Sequence, residues 1–167
     1  MKIISMLLAI IMVSLFSSCA SMIPHKQNAL GGLVLIVCNS TIKNSDNISV
    51  SYDIIYDKDK ILRLDPTIKF SIYEEFSEGI HTISAIRTIN QLSSDTTEEI
   101  KVNMDFHVEK GKVTILPIKF VTSGSVSGDR LFLYVNYLGI SEKDIKEAKD
   151  FFNQQRNSSE WSFLEPK

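Results

Sequence analysis

A mainly β chain, built as an antiparallel sandwich of seven or eight short strands and closed by one C-terminal amphipathic helix, is the fold this sequence predicts. Three observations carry it. From Cys19 onward the chain holds 18 Ile, 9 Val and 8 Thr against 4 Ala, and side chains branched at Cβ fit a pleated surface better than a helix. Apolar residues alternate with polar ones in short segments, separated by Gly, Pro, Asp and Ser at nearly regular spacing, which is the pattern of a sandwich or barrel. Only near the C-terminus does the apolar period lengthen to that of a helix.

The segments follow in order. Leu33 to Cys38 (LVLIVC) is apolar on both faces, as a central strand would be. Ile48, Val50, Tyr52, Ile54 and Tyr56 alternate with polar residues, so one face is buried and one wet. The charged run Asp57 to Lys60 turns the chain into Ile61 to Leu64, and Asp65-Pro66 breaks it before Ile68, Phe70 and Ile72. Glu78-Gly79 opens Ile80 to Ile89, and the polar stretch Ser93 to Thr97 leads to Ile100, Val102, Met104, Phe106 and Val108, the cleanest alternation in the chain. Lys110-Gly111 turns it into Val113 to Val121, where Pro117 lacks a donor and predicts an edge strand or a bulge. A Ser/Gly loop, Thr122 to Asp129, precedes Leu131, Leu133, Val135 and Tyr137. Ser141 with Asp144 forms a capping box with Asp in the place of Glu or Gln, and Ile145, Ala148 and Phe152 share one face of a helix running to about Arg156. That apolar face should dock on the sandwich, while Trp161, Phe163 and Leu164 lie in a polar tail.

The N-terminus is of another kind. Lys2 is followed by Ile3 to Phe16, fourteen residues interrupted only by Ser5 and Ser14, and then by Ser17, Ser18, Cys19, Ala20 and Ser21. A charged start, an apolar centre and small residues at the end make a secretory leader. At about 1.5 Å per residue its apolar part spans about 21 Å of the roughly 30 Å needed to cross a bilayer. The expected organisation is a leader over 1–18, a tether over 19–31, the sandwich over 32–138 and the helix with its tail over 139–167.

The run Leu15-Phe16-Ser17-Ser18-Cys19 resembles the lipobox of bacterial lipoproteins in a relaxed form, with Leu15 one place further from the cysteine than the family prefers. The resemblance implies cleavage before Cys19 and a diacylglycerol thioether on its sulfur, with acylation, such as palmitate, of the new N-terminus. Each buried methylene contributes about 0.8 kcal/mol, and stable attachment takes two or more chains, which such a cysteine carries. Ala20 follows the cysteine where the family's inner-membrane retention signal has Asp, so the resemblance implies the outer membrane of a bacterial envelope. The competing reading is plain secretion with cleavage after Ala20. A lipidated Cys19 leaves Cys38 as the other cysteine of the chain, without a disulfide partner and read as a buried small hydrophobe.

Glu78-Gly79-Ile80-His81-Thr82-Ile83 and Glu109-Lys110-Gly111-Lys112-Val113 resemble the turn-into-strand segments of small immunoglobulin-like modules of bacterial surface and periplasmic proteins. The resemblance covers about residues 48 to 121 and implies an immunoglobulin-like sandwich with a binding or scaffolding role.

Catalytic signatures do not stand out. The sequence holds no GxSxG, HExxH, CxxC, phosphate-binding or dinucleotide-binding glycine pattern. Asp105, His107 and Glu109 point the same way from one strand and are ligand types that hold zinc. Successive side chains on one strand face are about 6.6 to 6.8 Å apart, too far to converge on one ion without a neighbouring strand. Lys101 and Asn103 continue that face, so a solvated surface is expected and no metal. Asp57-Lys58-Asp59 lacks the glycine of an EF-hand calcium loop and reads as a hairpin turn. His25 is expected in solvent and His81 at one end of the core. From Cys19 onward 17 Lys and Arg face 20 Asp and Glu, which excludes nucleic-acid binding by bulk charge. The expectation is a non-catalytic module without cofactor, held to a membrane by its lipid and facing an envelope or host protein. The alternative is an envelope enzyme, metal-dependent or not, with a site assembled from loops.

Overall fold

The computed structural model describes residues 23–40, 50–90, 99–127 and 130–165. Strand β1 (Gly32–Ser40) sits inside one sheet, between β4 (Phe70–Phe76), which it meets antiparallel, and β7 (Lys112–Ser127), which it meets in parallel. The other side of β7 pairs with β8 (Arg130–Gly139) and, near its start, with the two-residue β9 (Ser162–Phe163). The second sheet runs β3 (Lys60–Leu64), β2 (Val50–Tyr56), β5 (Gly79–Asn90), β6 (Glu99–Val108), all antiparallel. Two sheets packed face to face with one helix, α1 (Glu142–Asn153), make a mainly β, sandwich-like fold. Every segment read as a strand carries one, and β9 adds a strand in the tail. Two pairings, β1 with β7 and β9 with β7, depart from the expected antiparallel pattern.

Alternation decides which side chains fill the space between the sheets. Val34, Ile36 and Cys38 of β1 meet Tyr52 and Ile54 of β2, Ile83 and Ile86 of β5, Val102, Phe106 and Val108 of β6, and Leu116, Ile118 and Phe120 of β7. The Tyr52 hydroxyl donates across this core to Thr122 Oγ1 at 2.9 Å, where a buried phenol needs a partner. Cys38 lies in the same core, and burial first, then the charge of Asp65, pushes its thiol up to about 12.

The alternate residues of β1 point out of the sandwich, and they are covered as well. Leu33, Leu35 and Val37 form a second cluster with Val113, Ala148 and Phe152 of the helix, Trp161 of the tail and Ile23. Ser141 caps α1, its side chain accepting from the Asp144 N–H while the Asp144 carboxylate accepts from the Ser141 N–H. The same carboxylate receives Lys119 Nζ of β7 at 2.7 Å, and Glu147 receives Lys69 Nζ at 2.8 Å, so two ion pairs fix the helix across the sheet. Phe151 stacks on Phe70 with ring centres 5.0 Å apart. The helix ends at Asn153, three residues before the expected end.

Two further expectations need correction. Residues 23–31, read as tether, are packed on the domain: Ile23 is buried, Asn157 Nδ2 donates to its carbonyl, and Trp161 Nε1 donates to the Pro24 carbonyl. His25, exposed as expected, has its Nδ1 2.7 Å from Glu160 Oε1, and Glu160 also accepts from the Lys26 N–H. The sequence conceals this because polar residues that bind distant partners look like linker. Gly31 and Gly32 make the docking possible, since a Cβ on Gly31 would meet the Phe76 carbonyl oxygen at 1.8 Å and one on Gly32 the Glu109 oxygen at 2.6 Å. The first part of the expected Ser/Gly loop, Thr122 to Ser127, is strand, held by pairing from Thr122 with Val135 to Ser127 with Arg130. Pro117, expected on an edge strand or at a bulge, lies in the interior strand β7 at a register shift, where the one residue of β1 between Leu35 and Val37 opposes three of β7 between Ile115 and Lys119. There its missing donor breaks no regular ladder.

Phe152→Ala should cost about 3 to 5 kcal/mol, a large part of the stability of a domain, and urea denaturation of the soluble domain measures it. Lys119 and then Ser141 hold Asp144 down at about 2 against an ordinary 3.8. A depressed carboxylate stabilises the folded state above its unfolded pKa and loses that contribution as pH falls. The midpoint difference between the wild type and Asp144→Asn should therefore be full above about pH 4 and shrink towards pH 2. A pH-independent difference would count against the Lys119 pairing.

Candidate functional site

The helix covers the outer side of the first sheet, whereas the outer side of the second faces solvent with an ordered row of charge. Register sets Arg63 of β3 opposite Asp53 of β2, Asp53 opposite Arg87 of β5, and Arg87 opposite Glu99 of β6. Signs therefore alternate across four strands, the arrangement that cross-strand pairing favours. Arg63 grips Asp53 with two nitrogens, Nε to Oδ1 at 2.9 Å and Nη2 to Oδ2 at 3.2 Å, and Arg87 reaches Glu99 at 2.9 Å. The Asp53 side chain is 6% exposed and that of Arg63 65%, so the arginine acts as a lid over the carboxylate. The hydrogen bonds and charge of Asp53 raise the Arg63 pKa further. The next row along the strands is Ile61, Ile55, Ala85 and Lys101, with Ile61 exposed. Among the described residues this face therefore presents paired charges beside apolar side chains.

Of the residues read as zinc-type ligands, Asp105 and His107 lie on β6, which pairs only with β5 among the described strands, and Glu109 follows directly after its end. Their alternation with Val102, Met104, Phe106 and Val108 is that of a sheet edge, and charges there hinder pairing with another chain. Each has a local partner. Asp105 Oδ1 accepts from Thr82 Oγ1 at 2.6 Å, His107 Nε2 lies 3.5 Å from Glu109 Oε1, and Glu109 Oε2 receives Lys112 Nζ at 2.5 Å. Among the described residues no group of three His, Cys, Asp or Glu could hold a metal ion. Asp59 lies in the β2–β3 turn with Asp57. Cys19, the expected site of lipidation, lies outside the described residues.

His81 closes one end of the core, as its place in the sequence predicts. Its Nε2–H donates to the Ser77 carbonyl at 2.7 Å, and its Nδ1 stands 2.6 Å from Asp57 Oδ2. Phe76, Phe106 and Tyr56 surround the ring. Partial burial raises the Asp57 pKa, but hydrogen bonds from His81, the Thr82 N–H and Lys60 outweigh it and leave the carboxyl below its ordinary value. The sequence gives no hint of this pair, because 24 residues separate Asp57 and His81 and only the β2–β5 register joins them. With both ring nitrogens engaged and the ring buried, His81 fastens the β2–β3 turn to the β4–β5 turn. The Asp53 and Arg63 pair was missed for the same reason.

A pocket of about 110 Å³ lies between Pro24, Ala29, Leu30, Leu33, Glu74 and Trp161. Sites for drug-sized molecules take about 300 to 1,000 Å³, so this one is small for a substrate. No helix among the described residues is long and apolar enough to cross a membrane. No family model, no curated protein and no solved structure matches the chain.

Calorimetric titration of the metal-free domain with zinc at neutral pH should reveal no site tighter than about micromolar, since strand spacing keeps the three side chains apart. A stoichiometric site of higher affinity, abolished by His107→Ala, would contradict this.

Proposed function

We propose that the chain is a lipid-anchored lipoprotein of a bacterial envelope, a non-catalytic binding or scaffolding module with an immunoglobulin-like sandwich. The observation that carries the reading is the apolar leader ending in Leu15-Phe16-Ser17-Ser18-Cys19, where a lipid on Cys19 precedes the packed domain by only a few residues. The absence of Asp after Cys19 favours the outer membrane. The immunoglobulin-like reading is supported by Glu78 to Ile83 and Glu109 to Val113, which lead into β5 and β7 of two facing sheets.

Internal use of the reactive side chains favours binding over catalysis. His81, Asp57, Asp105 and Glu109 are engaged in contacts that join turns and strands. The outer side of the second sheet, with Asp53, Arg63, Arg87, Glu99 and Ile61, is the surface best suited to an envelope or host protein, since a rigid platform costs little ordering on contact.

Intact mass of the native protein tests the anchor. The expected species begins at acylated Cys19, and Cys19→Ala should move the domain from the membrane to the soluble fraction with an unchanged melting midpoint. A soluble wild-type product beginning at Ser21 and bearing no lipid would contradict the reading.

A further inference from the structure

We propose that the end of the sandwich where β1, β5 and β7 begin rests against the lipid surface, with Leu30 and Ile80 entering its headgroup layer. The inference rests on Cys19 being the lipidated residue, and chain length supplies its first argument. Cys19 precedes the buried Ile23 by four residues, and an extended chain spans at most about 3.3 to 3.6 Å per residue, or about 14 Å in all. Part of that length lies within the headgroup layer, so the domain is held at the surface at high effective concentration.

Packing prevents a longer reach. The carbonyls of Ile23 and Pro24 accept from Asn157 and Trp161, the Lys26 N–H donates to Glu160, and the Gly111 N–H donates to the Gly31 carbonyl. Residues 23–31 therefore move with the sandwich. Register places the surroundings: Gly32 pairs with Phe76, Leu33 with Val113, and Gly79 with Val108, so these strand ends lie together.

Exposure selects the contact residues. Leu30 at 85% and Ile80 at 72% are the two most exposed of the large hydrophobic residues described, and both lie at this end. The opposite end, where β3 passes to β4, presents Ile68 at 50%. Exposed Lys26 and Lys110 share the near end with exposed Glu74 and Glu78, so the charges roughly cancel and apolar insertion, not attraction to anionic lipid, is the force involved. The outer side of α1 carries exposed Glu142, Lys143, Lys146 and Asp150, which makes it the less favourable side to lay on the lipid.

Fluorescence quenching tests the orientation. The acylated full chain is reconstituted in phosphatidylcholine vesicles containing a lipid-linked nitroxide, with a thiol-reactive fluorophore at Leu30→Cys, Ile80→Cys, Ile68→Cys or Lys146→Cys. Buried Cys38 does not compete for the label. Labels at 30 and 80 should be quenched at least about threefold more than those at 68 and 146, at low and high salt alike, as expected for shallow apolar insertion. Equal quenching at the four sites, stronger quenching at 68 or 146, or loss of the preference in salt overturns the proposal. Intact mass of the same samples separates the two possible failures. A lipid-bearing chain without the preference defeats the orientation alone, and a chain without lipid defeats the anchor as well.

Discussion

Strand β1 has to be kept dry on both faces, and the rest of the fold is arranged around that requirement. Leu33 to Cys38 are all nearly inaccessible to solvent, three pointing between the sheets and three away from them. The second sheet covers the inward set. The outward set needs a further layer, supplied by α1, Trp161 and Ile23 from the two ends of the described chain. A twelve-residue helix is marginal alone in water and gains its order from such packing. Strand and helix therefore stabilise each other, and the polar contacts of Asp144 with Lys119 and of Glu147 with Lys69 fix the helix's position across the sheet.

The same arrangement separates the domain's surfaces. Covering β1 uses the outer side of the first sheet, and leaves the second sheet with a solvent-facing side patterned by Arg63, Asp53, Arg87 and Glu99. The ends of the sandwich differ too. The turns Asp57 to Asp59, Ser77 to Glu78 and Glu109 to Gly111 gather at the end where Gly31 and Gly32 enter β1, and His81 ties two of them together. In the proposed function, a lipid at Cys19 would hold that end close to the membrane and leave the patterned face accessible to a partner.

Much of this was legible in the sequence because it depends on period. LVLIVC announced a strand covered on both sides, the alternation from Ile100 to Val108 announced β6, and Ile145, Ala148 and Phe152 announced a docked helix. What period cannot show is which distant polar groups meet. Residues 23–31 read as linker because their partners Asn157, Glu160 and Trp161 lie more than 130 residues away. Thr122 to Ser127 read as loop because Ser and Gly have little strand preference, and pairing with β8 overrides it. The Asp105, His107 and Glu109 constellation was visible as a pattern, but its local partners Thr82 and Lys112 emerged only with the register and the turn.

Native-state hydrogen exchange gives the most direct test of the mutual dependence of β1 and α1. Amides of Leu33 to Cys38 and those in the body of α1 should exchange through the same global opening, with a common free energy and a common dependence on denaturant. Exchange of the helix through a smaller, separate opening, with β1 still fully protected, would show that the strand does not need its outer cover and would contradict the account.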